Sequence, residues 1–365
     1  MKFGIASDFH FGFNGDAAIQ AKKALDLCNS LNCDFILLPG DLFDYRIPTQ
    51  ETIKEAVNCF VTSRPKTNLK ISDYDSGKEL SDYPALIGIH GTHERRTKGL
   101  ANIIEIFDDA HLMINCHNKR IIFEKTTGGK TEKVCIQGLG GVPEEFVLQS
   151  LKAGNFKPVE NAFNVFVFHQ NVSEIVPMAP ESISVSDLPD GFNLYVNGHI
   201  HWHRDLTVQG KHLVIPGSTV VTQMKEEETK PKGVLIVDTN SNVIEFKEFE
   251  TRKFLFLSTD NQAKAEKFVL DACNSFSFPL IKLKFNGIFR NKEEFINSVN
   301  QKCELFLEED FEDNFKGFQT NQIILEDPVE ELVASYVVKE EKEKLVKLIS
   351  FLTEEDFDGF VNDFI

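Results

Sequence analysis

A chain of 365 residues exceeds what one hydrophobic core usually organises, so one large domain with a smaller companion is expected. Hydrophobic residues make up 42% of it and no apolar run approaches the roughly 18 residues of a membrane span, which excludes a disordered or membrane-crossing chain. The net charge of −17 would argue against a nucleic-acid partner if it were spread evenly, but it is not: basic against acidic residues number 25 to 33 over 1–250, 9 to 5 over 251–303 and 5 to 18 over 304–365.

From the start, Met1-Lys2-Phe3-Gly4-Ile5 reaches Asp8 too soon for a secretory apolar segment. Seven cysteines, an odd number without a C-x-x-C pair, speak against a disulfide framework or a structural zinc site. A cytoplasmic or nucleoid-associated protein with reduced thiols is expected.

The first 200 residues alternate short apolar runs with helix-like stretches, the rhythm of layered α/β structure. Strands are predicted at Lys2–Ser7, Asp34–Pro39, Ala85–His90, Lys133–Gln137, Asn164–His169 and Asn193–Asn197. Helical spacing covers Ala17–Leu31 and Glu51–Thr62, the latter with Thr49 as N-cap. Residues 64–83 are polar and read as an inserted loop. From 205 to 250 the pattern becomes hairpins, with a Gln209-Gly210 turn and strands Gly233–Asp238 and Val243–Phe249. Past a boundary near 250–254, strand, helix, strand and helix (Phe254–Ser258, Asn261–Asn274, Leu280–Phe285, Lys292–Phe306) suggest a small α/β cap. After Asp327-Pro328 the chain reads as helical to its end, where Thr353 and Asp356 resemble a capping box.

Five segments at predicted strand ends carry chemistry: Asp8-Phe9-His10, Gly40-Asp41-Leu42-Phe43-Asp44, Gly91-Thr92-His93-Glu94, His169-Gln170 and Gly198-His199-Ile200-His201. Open α/β sheets place their ligands at such ends. On an extended strand, D-x-H and H-x-H send both side chains to one side, as two ligands of one cluster need. Imidazoles and carboxylates together suit Mn²⁺, Fe or Zn²⁺ better than Ca²⁺. Each piece alone is common, and a lone histidine after a strand is usually a hydrogen-bonded core residue. The ordered set of five is what carries the reading.

D-x-H, G-D-x-x-D, G-N-H-[DE], a later single histidine and G-H-x-H are the motifs of the calcineurin-like metallophosphoesterases, which this chain resembles. Gly40-Asp41-Leu42-Phe43 with Arg46 and Pro48, and Pro216-Gly217-Ser218-Thr219, resemble the meiotic recombination eleven, or SbcD-type, DNA double-strand-break repair nucleases. The resemblance implies a four-layer α/β/β/α sandwich over 1–252, a DNA-binding α/β cap over 253–325 and C-terminal helices over 326–365. It also implies two divalent metals, with Mn²⁺ expected. Asp8, His10 and His201 would hold the first metal, His169 and His199 the second, and Asp41 would bridge them. His93 would stabilise or protonate the leaving oxygen.

Two positions depart from the family pattern. Thr92 stands where the family has an asparagine ligand, so a weaker second metal site is expected. Asp44 stands where many of these nucleases have histidine and others have aspartate, which leaves its part in positioning DNA open. Arg46, Arg95, Arg96 and Lys98 beside the site, with Lys282, Lys284 and Arg290 in the cap, are candidate contacts to a DNA backbone. His90 and His203 read as strand-end and packing residues, with a site role as the alternative. No G-x-x-x-x-G-K-[ST] motif is present, so the resemblance implies a separate coiled-coil ATPase of the SMC type. The acidic C-terminal segment could dock it or pack on its own domain, and a homodimer is implied as well. Three functions stay open: a DNA exo/endonuclease, a small-molecule phosphodiesterase or phosphatase, and a weakly active scaffold for the ATPase.

Overall fold

The computed structural model describes residues 1–310 except Lys98, Met178, Pro180 and Glu181. The segment 326–365, the end of the cap over 311–325 and Lys98 therefore lie outside the described residues.

In chain order, Lys2–Ile5 (β1), Gly15–Ser30 (α1), Phe35–Leu38 (β2), Gln50–Thr62 (α2), Lys70–Asp73 (β3), Leu86–Gly88 (β4), Ile103–Asp109 (α3) and Ile114–Asn115 (β5) come first. Asn14 starts α1 two residues before the expected point, because its side chain accepts from the Asp16 and Ala17 N–H groups. Thr49 caps α2 as expected, accepting from Thr52 N–H. Next are Arg120–Thr127 (β6), Lys130–Leu139 (β7), Val147–Gly154 (α4), Phe163–Phe168 (β8), Leu194–Asn197 (β9), Arg204–Val208 (β10) and Lys211–Ile215 (β11). Gln209 and Gly210 both adopt positive φ, the primed turn that suits a two-residue hairpin. Gly233–Asp238 (β12) and Val243–Glu248 (β13) complete the larger part. Phe254–Thr259 (β14), Gln262–Ser275 (α5), Leu280–Asn286 (β15), Lys292–Val299 (α6) and Glu304–Asp310 (β16) follow.

Two sheets face each other. One has the order β13-β12-β1-β2-β4-β5, the other β10-β11-β9-β8-β7-β6-β3. Their shared core holds Phe3, Ile5, Phe35 and Leu37 from the first sheet against Phe123, Val134, Ile136, Val165 and Val196 from the second. Phe35 stacks on Phe3 and on Phe123, with ring centroids 4.7 and 4.2 Å away, and so bridges the layers. Helices α1, α2 and α3 cover the outer face of the first sheet through Leu25, Phe60 and Phe107, and α4 covers the second through Val147 and Leu151. The expected four-layer α/β/β/α arrangement follows from these burials. Because β1, β2 and β4 run parallel, as do β7, β8 and β9, the loops leaving five of their C-terminal ends converge.

Three expectations change. Residues 64–83 are not only loop: β3 pairs antiparallel with β6. Its one fully buried side chain, Ile71, is too little alternation to read from sequence. Strand β6 was not anticipated either. The helix expected to reach Phe306 stops at Val299, and β16 follows, its half-buried Leu305 and Leu307 alternating with exposed Glu304, Phe306 and Glu308.

Strands β14, β15 and β16 form a separate parallel sheet with its own core, including Val269, Ile281, Leu283 and Phe289. Arg252 pairs with Glu304 at 2.7 Å and approaches Asp16 of α1 at 3.8 Å. The basic character expected of this region vanishes once β16 is included, because 304–310 adds four acids and brings 251–310 to nine basic against nine acidic residues.

Candidate metal centre

The loop after β1 carries Asp8 and His10, and the loop after β2 carries Gly40–Asp44. Backbone bonds zip them together: Asp8 N–H donates to Gly40 C=O and His10 N–H to Asp41 C=O, both at 3.1 Å. Neither pair of ligands is aligned by strand alternation, contrary to expectation. The strands end before the motifs, and Asp8, His10, Asp41 and His199 all sit in the left-handed region with φ of 53, 50, 48 and 71°. Outside glycine that conformation is uncommon and costs of order 1 kcal/mol or more per residue, so turns of the backbone aim these side chains inward. Gly40, at φ +97°, is required twice over: a Cβ there would come 2.6 Å from His169 Nδ1.

Three clusters of acidic and imidazole groups result. Asp8, His10 and His201 converge and are fully buried, Asp41, His169 and His199 form a second set, and His10, Asp44 and His93 a third. The chemistry of the first two fits a divalent cation. His169 Nδ1–H donates to the Pro39 carbonyl at 2.8 Å, so in a neutral ring Nε2 carries the lone pair. That nitrogen lies 3.0 Å from Asp41 Oδ2, near enough for an ion pair but not aligned for a hydrogen bond. Burial works against a charged His169, yet Asp41 outweighs it and lifts the proton affinity to about 9. Burial would raise Asp41 as well, but His169 and His10 hold its carboxyl well below the usual range.

The first cluster repeats the pattern. His10 Nδ1 donates to Asp44 Oδ1 at 3.0 Å, and its Nε2 faces His201 Nε2 at 3.3 Å. Two nitrogens bound about 2.1 Å from one ion would be separated by a similar distance. Asp8 Oδ1 accepts from His199 N–H, while Oδ2 is buried without a hydrogen-bond partner among the described residues. Burial opposes protonation of His10, but Asp44, Asp41 and Asp8 raise its proton affinity above the ordinary value. Burial, with His169 nearby, pushes His199 down to about 3, leaving a neutral ring suited to ligation.

Thr92 lies at the second cluster, its hydroxyl donating to Asp41 Oδ2 at 3.3 Å. His93 stands beside both clusters with its side chain 41% exposed, and its Nδ1–H donates to the Asp44 carbonyl at 2.7 Å. All eight residues named from the motifs are therefore brought together. The candidate backbone contacts are scattered. Arg46 is exposed and Arg95 and Arg96 are half-buried near His93. Lys282 pairs with Glu308, and Lys284 with Asp310 at 2.8 Å, across the separate sheet, while Arg290 is exposed. His203 donates through Nδ1–H to the Ile215 carbonyl and stacks on Phe246, a packing position. His90 is buried against Gly140, with its ring 4.8 Å from that of His117.

Sequence reading named Glu94 within its motif without a role and missed the other supports. Glu94 is fully buried and accepts from Phe43 N–H and Gly91 N–H, both at 2.7 Å, latching two motif loops together. Burial and Asp41 push its carboxyl up to about 7. Behind His201, Thr222 Oγ1 lies 2.6 Å from Nδ1. Lys232 Nζ donates to the His201 carbonyl, to Ser218 Oγ and to Glu228 Oε1, with all these groups buried. Burial would raise Glu228, but His201 and Lys232 bring it down to about 2. The one available signal was an i, i+4 Glu-Lys pair after the Pro216–Thr219 signature, which looks like ordinary surface charge.

No family model matches the chain. Among curated relatives, the double-strand break repair protein MRE11 of Gallus gallus is 27% identical over 278 residues, covering 64% of this chain and 39% of that protein. The Mre11 protein of Archaeoglobus fulgidus is 28% identical over 241 residues, 62% of this chain and 52% of that one. The chain thus spans about half or less of the length of these two. The Mre11 protein of Methanococcus maripaludis aligns end to end, covering 100% of this chain and 99% of its own length at 23% identity. End to end in one relative and over somewhat less than two thirds of its length in the other two, the chain is similar to the Mre11-type DNA double-strand break repair proteins.

Proposed function

We propose that this chain is a manganese-dependent DNA exo/endonuclease that processes broken ends as the nuclease subunit of a complex with an SMC-like coiled-coil ATPase. One observation carries the reading. Two buried sets of electron-pair donors face each other, His10 Nε2 against His201 Nε2 and His169 Nε2 against Asp41 Oδ2, directly beside a partly exposed His93. Ring protons can bridge each pair singly, whereas one divalent cation at each set would engage all of its donors at once.

Asp8, His10 and His201 would hold one divalent ion, and His169, His199 and Thr92 the other, with Asp41 between them. When bound, the ions supply polarisation of the phosphodiester and an activated water. The chain's own contribution is positional. The Asp44 carbonyl fixes His93 through Nδ1–H, so Nε2 is the atom turned to the reaction and able to deliver a proton to the leaving oxygen. Arg46, Arg95 and Arg96 would position the backbone without reading sequence. A homodimer, and docking of the ATPase on the acidic 326–365 segment, belong to the same proposal.

The charge balance of the separate sheet favours a second reading, a phosphodiesterase for small molecules, because it offers no basic track for a long duplex. Purified protein with Mn²⁺ tested on linear duplex DNA, single-stranded DNA and bis-p-nitrophenyl phosphate separates the two, with His93→Ala as control. Cleavage of the small diester but of neither DNA would overturn the nuclease. No turnover at any metal concentration would point to the scaffold.

A further inference from the structure

A cleft opens beside the candidate metal centre, at the loop that carries one histidine of each half. It is lined by His199, His201, Trp202, Asn171, Gln223 and Lys225 and has a volume of roughly 350 Å³. That lies within the range of about 300–1,000 Å³ typical of small-ligand pockets. Its composition differs from that of the buried centre. Two imidazoles of the metal motif, two neutral amides, an ammonium group and the chain's only tryptophan line it together with Val176, Ala179 and Ile200. The indole N–H of Trp202 is sealed from solvent and has no acceptor among the described residues, while the residue as a whole is half-buried. What Trp202 offers the cleft is therefore its carbon surface and not its donor. Lys225 and Gln223 are exposed at the same rim.

A flat apolar ring beside a phosphate-cleaving centre, with an ammonium group within the same cleft, matches one chemistry closely. Nucleobases stack on aromatic side chains, typically for about 1–3 kcal/mol per base, and ammonium groups take phosphate oxygens. Neutral amides suit base edges or sugar hydroxyls.

We propose that this cleft seats the nucleoside adjoining the scissile phosphate, with the base stacked on Trp202 and a flanking phosphate on Lys225. This rests on the phosphodiesterase reading of the centre and narrows it. A base inside a duplex has both faces covered by its neighbours, so the nucleotide entering here must be unpaired. The subsite would thus select frayed or single-stranded ends over paired ones.

The single tryptophan makes the test direct, because its emission reports the cleft and does not depend on turnover. Wild-type protein is titrated with thymidine 5′-monophosphate and, separately, with deoxyribose 5-phosphate, which lacks the base. The expected result is saturable quenching by the nucleotide and none by the abasic sugar phosphate. Lys225→Ala should keep the quench at saturation while weakening the apparent affinity by roughly three- to tenfold. Equal responses to both ligands, or no response to the nucleotide, would overturn the proposal, as would a quench unaffected in affinity by Lys225→Ala. Failure of the nuclease reading looks different: wild-type protein would then cleave bis-p-nitrophenyl phosphate but no DNA, whatever the emission does.

Discussion

The two halves of the metal centre use the same ligand types but are supported in different ways. Behind the Asp8, His10 and His201 set stand charged groups: Asp44 on His10, and Glu228 with Lys232 behind His201. Behind the Asp41, His169 and His199 set stand mostly backbone groups, the Pro39 carbonyl on His169 and the His93 N–H on Asp41, together with the Thr92 hydroxyl. Carboxylates behind an imidazole raise its basicity as well as fixing its direction, whereas a carbonyl mainly fixes direction. The difference suggests that the first half binds its ion more tightly, and that the second half is the one whose occupancy varies with metal supply.

The comparison breaks most severely at the shared residue. Asp41→Ala should remove both halves at once and lower phosphodiester turnover by about 10³-fold or more, read as kcat on bis-p-nitrophenyl phosphate. An effect confined to the metal concentration needed, with kcat unchanged, would show that Asp41 serves only one half.

Next in size is the buried pair behind His201. Lys232→Met leaves Glu228 buried without its cation and should cost about 3–5 kcal/mol of folding stability in chemical denaturation. The double variant Glu228→Gln with Lys232→Met should recover much of that stability. It should still bind its tighter metal about 10–100-fold more weakly by calorimetric titration, because the support for His201 is gone. Recovery of both quantities would mean that the pair is only structural.

Thr92→Asn tests the other half. An amide oxygen in place of a hydroxyl should lower the Mn²⁺ concentration for half-maximal activity by about tenfold without moving the tighter binding event. An unchanged metal requirement would sink the idea that Thr92 weakens the second half. Asp44→Asn keeps an oxygen acceptor for His10 Nδ1–H but removes the charge, and a loss of about tenfold in first-site affinity is expected. An unchanged affinity would show that the direction, and not the charge, is what matters.

The candidate ligands could be named from the sequence because their order is local to each strand end and their residue types are chemically narrow. The means of bringing them together were not. Strand alternation was the available argument for Asp8 with His10 and for His199 with His201, and the chain instead uses left-handed turns that no period reveals. Glu228 and Lys232 were invisible for a related reason: burial turns an ordinary-looking i, i+4 pair into a support, and burial is a property of the fold. In the separate sheet the charge count was divided after residue 303, inside the expected helix Lys292–Phe306. The acids of β16 that neutralise Lys282 and Lys284 were assigned to the next segment, and so a balanced surface looked basic.

The four left-handed residues carry one more consequence, for how the centre can change over time. Each of Asp8, His10, Asp41 and His199 must satisfy two requirements, a donor atom for a cation and a backbone that rests at positive φ. Asp, Asn and His are the non-glycine types most often found there, whereas Glu and Cys, chemically able to ligate, meet the same backbone at a cost of order 1–3 kcal/mol. Exchange of ligand type at these positions is therefore penalised by the main chain as well as by the metal. Thr92, His169 and His201 are not among the left-handed residues, so at these three positions the main chain adds no such penalty.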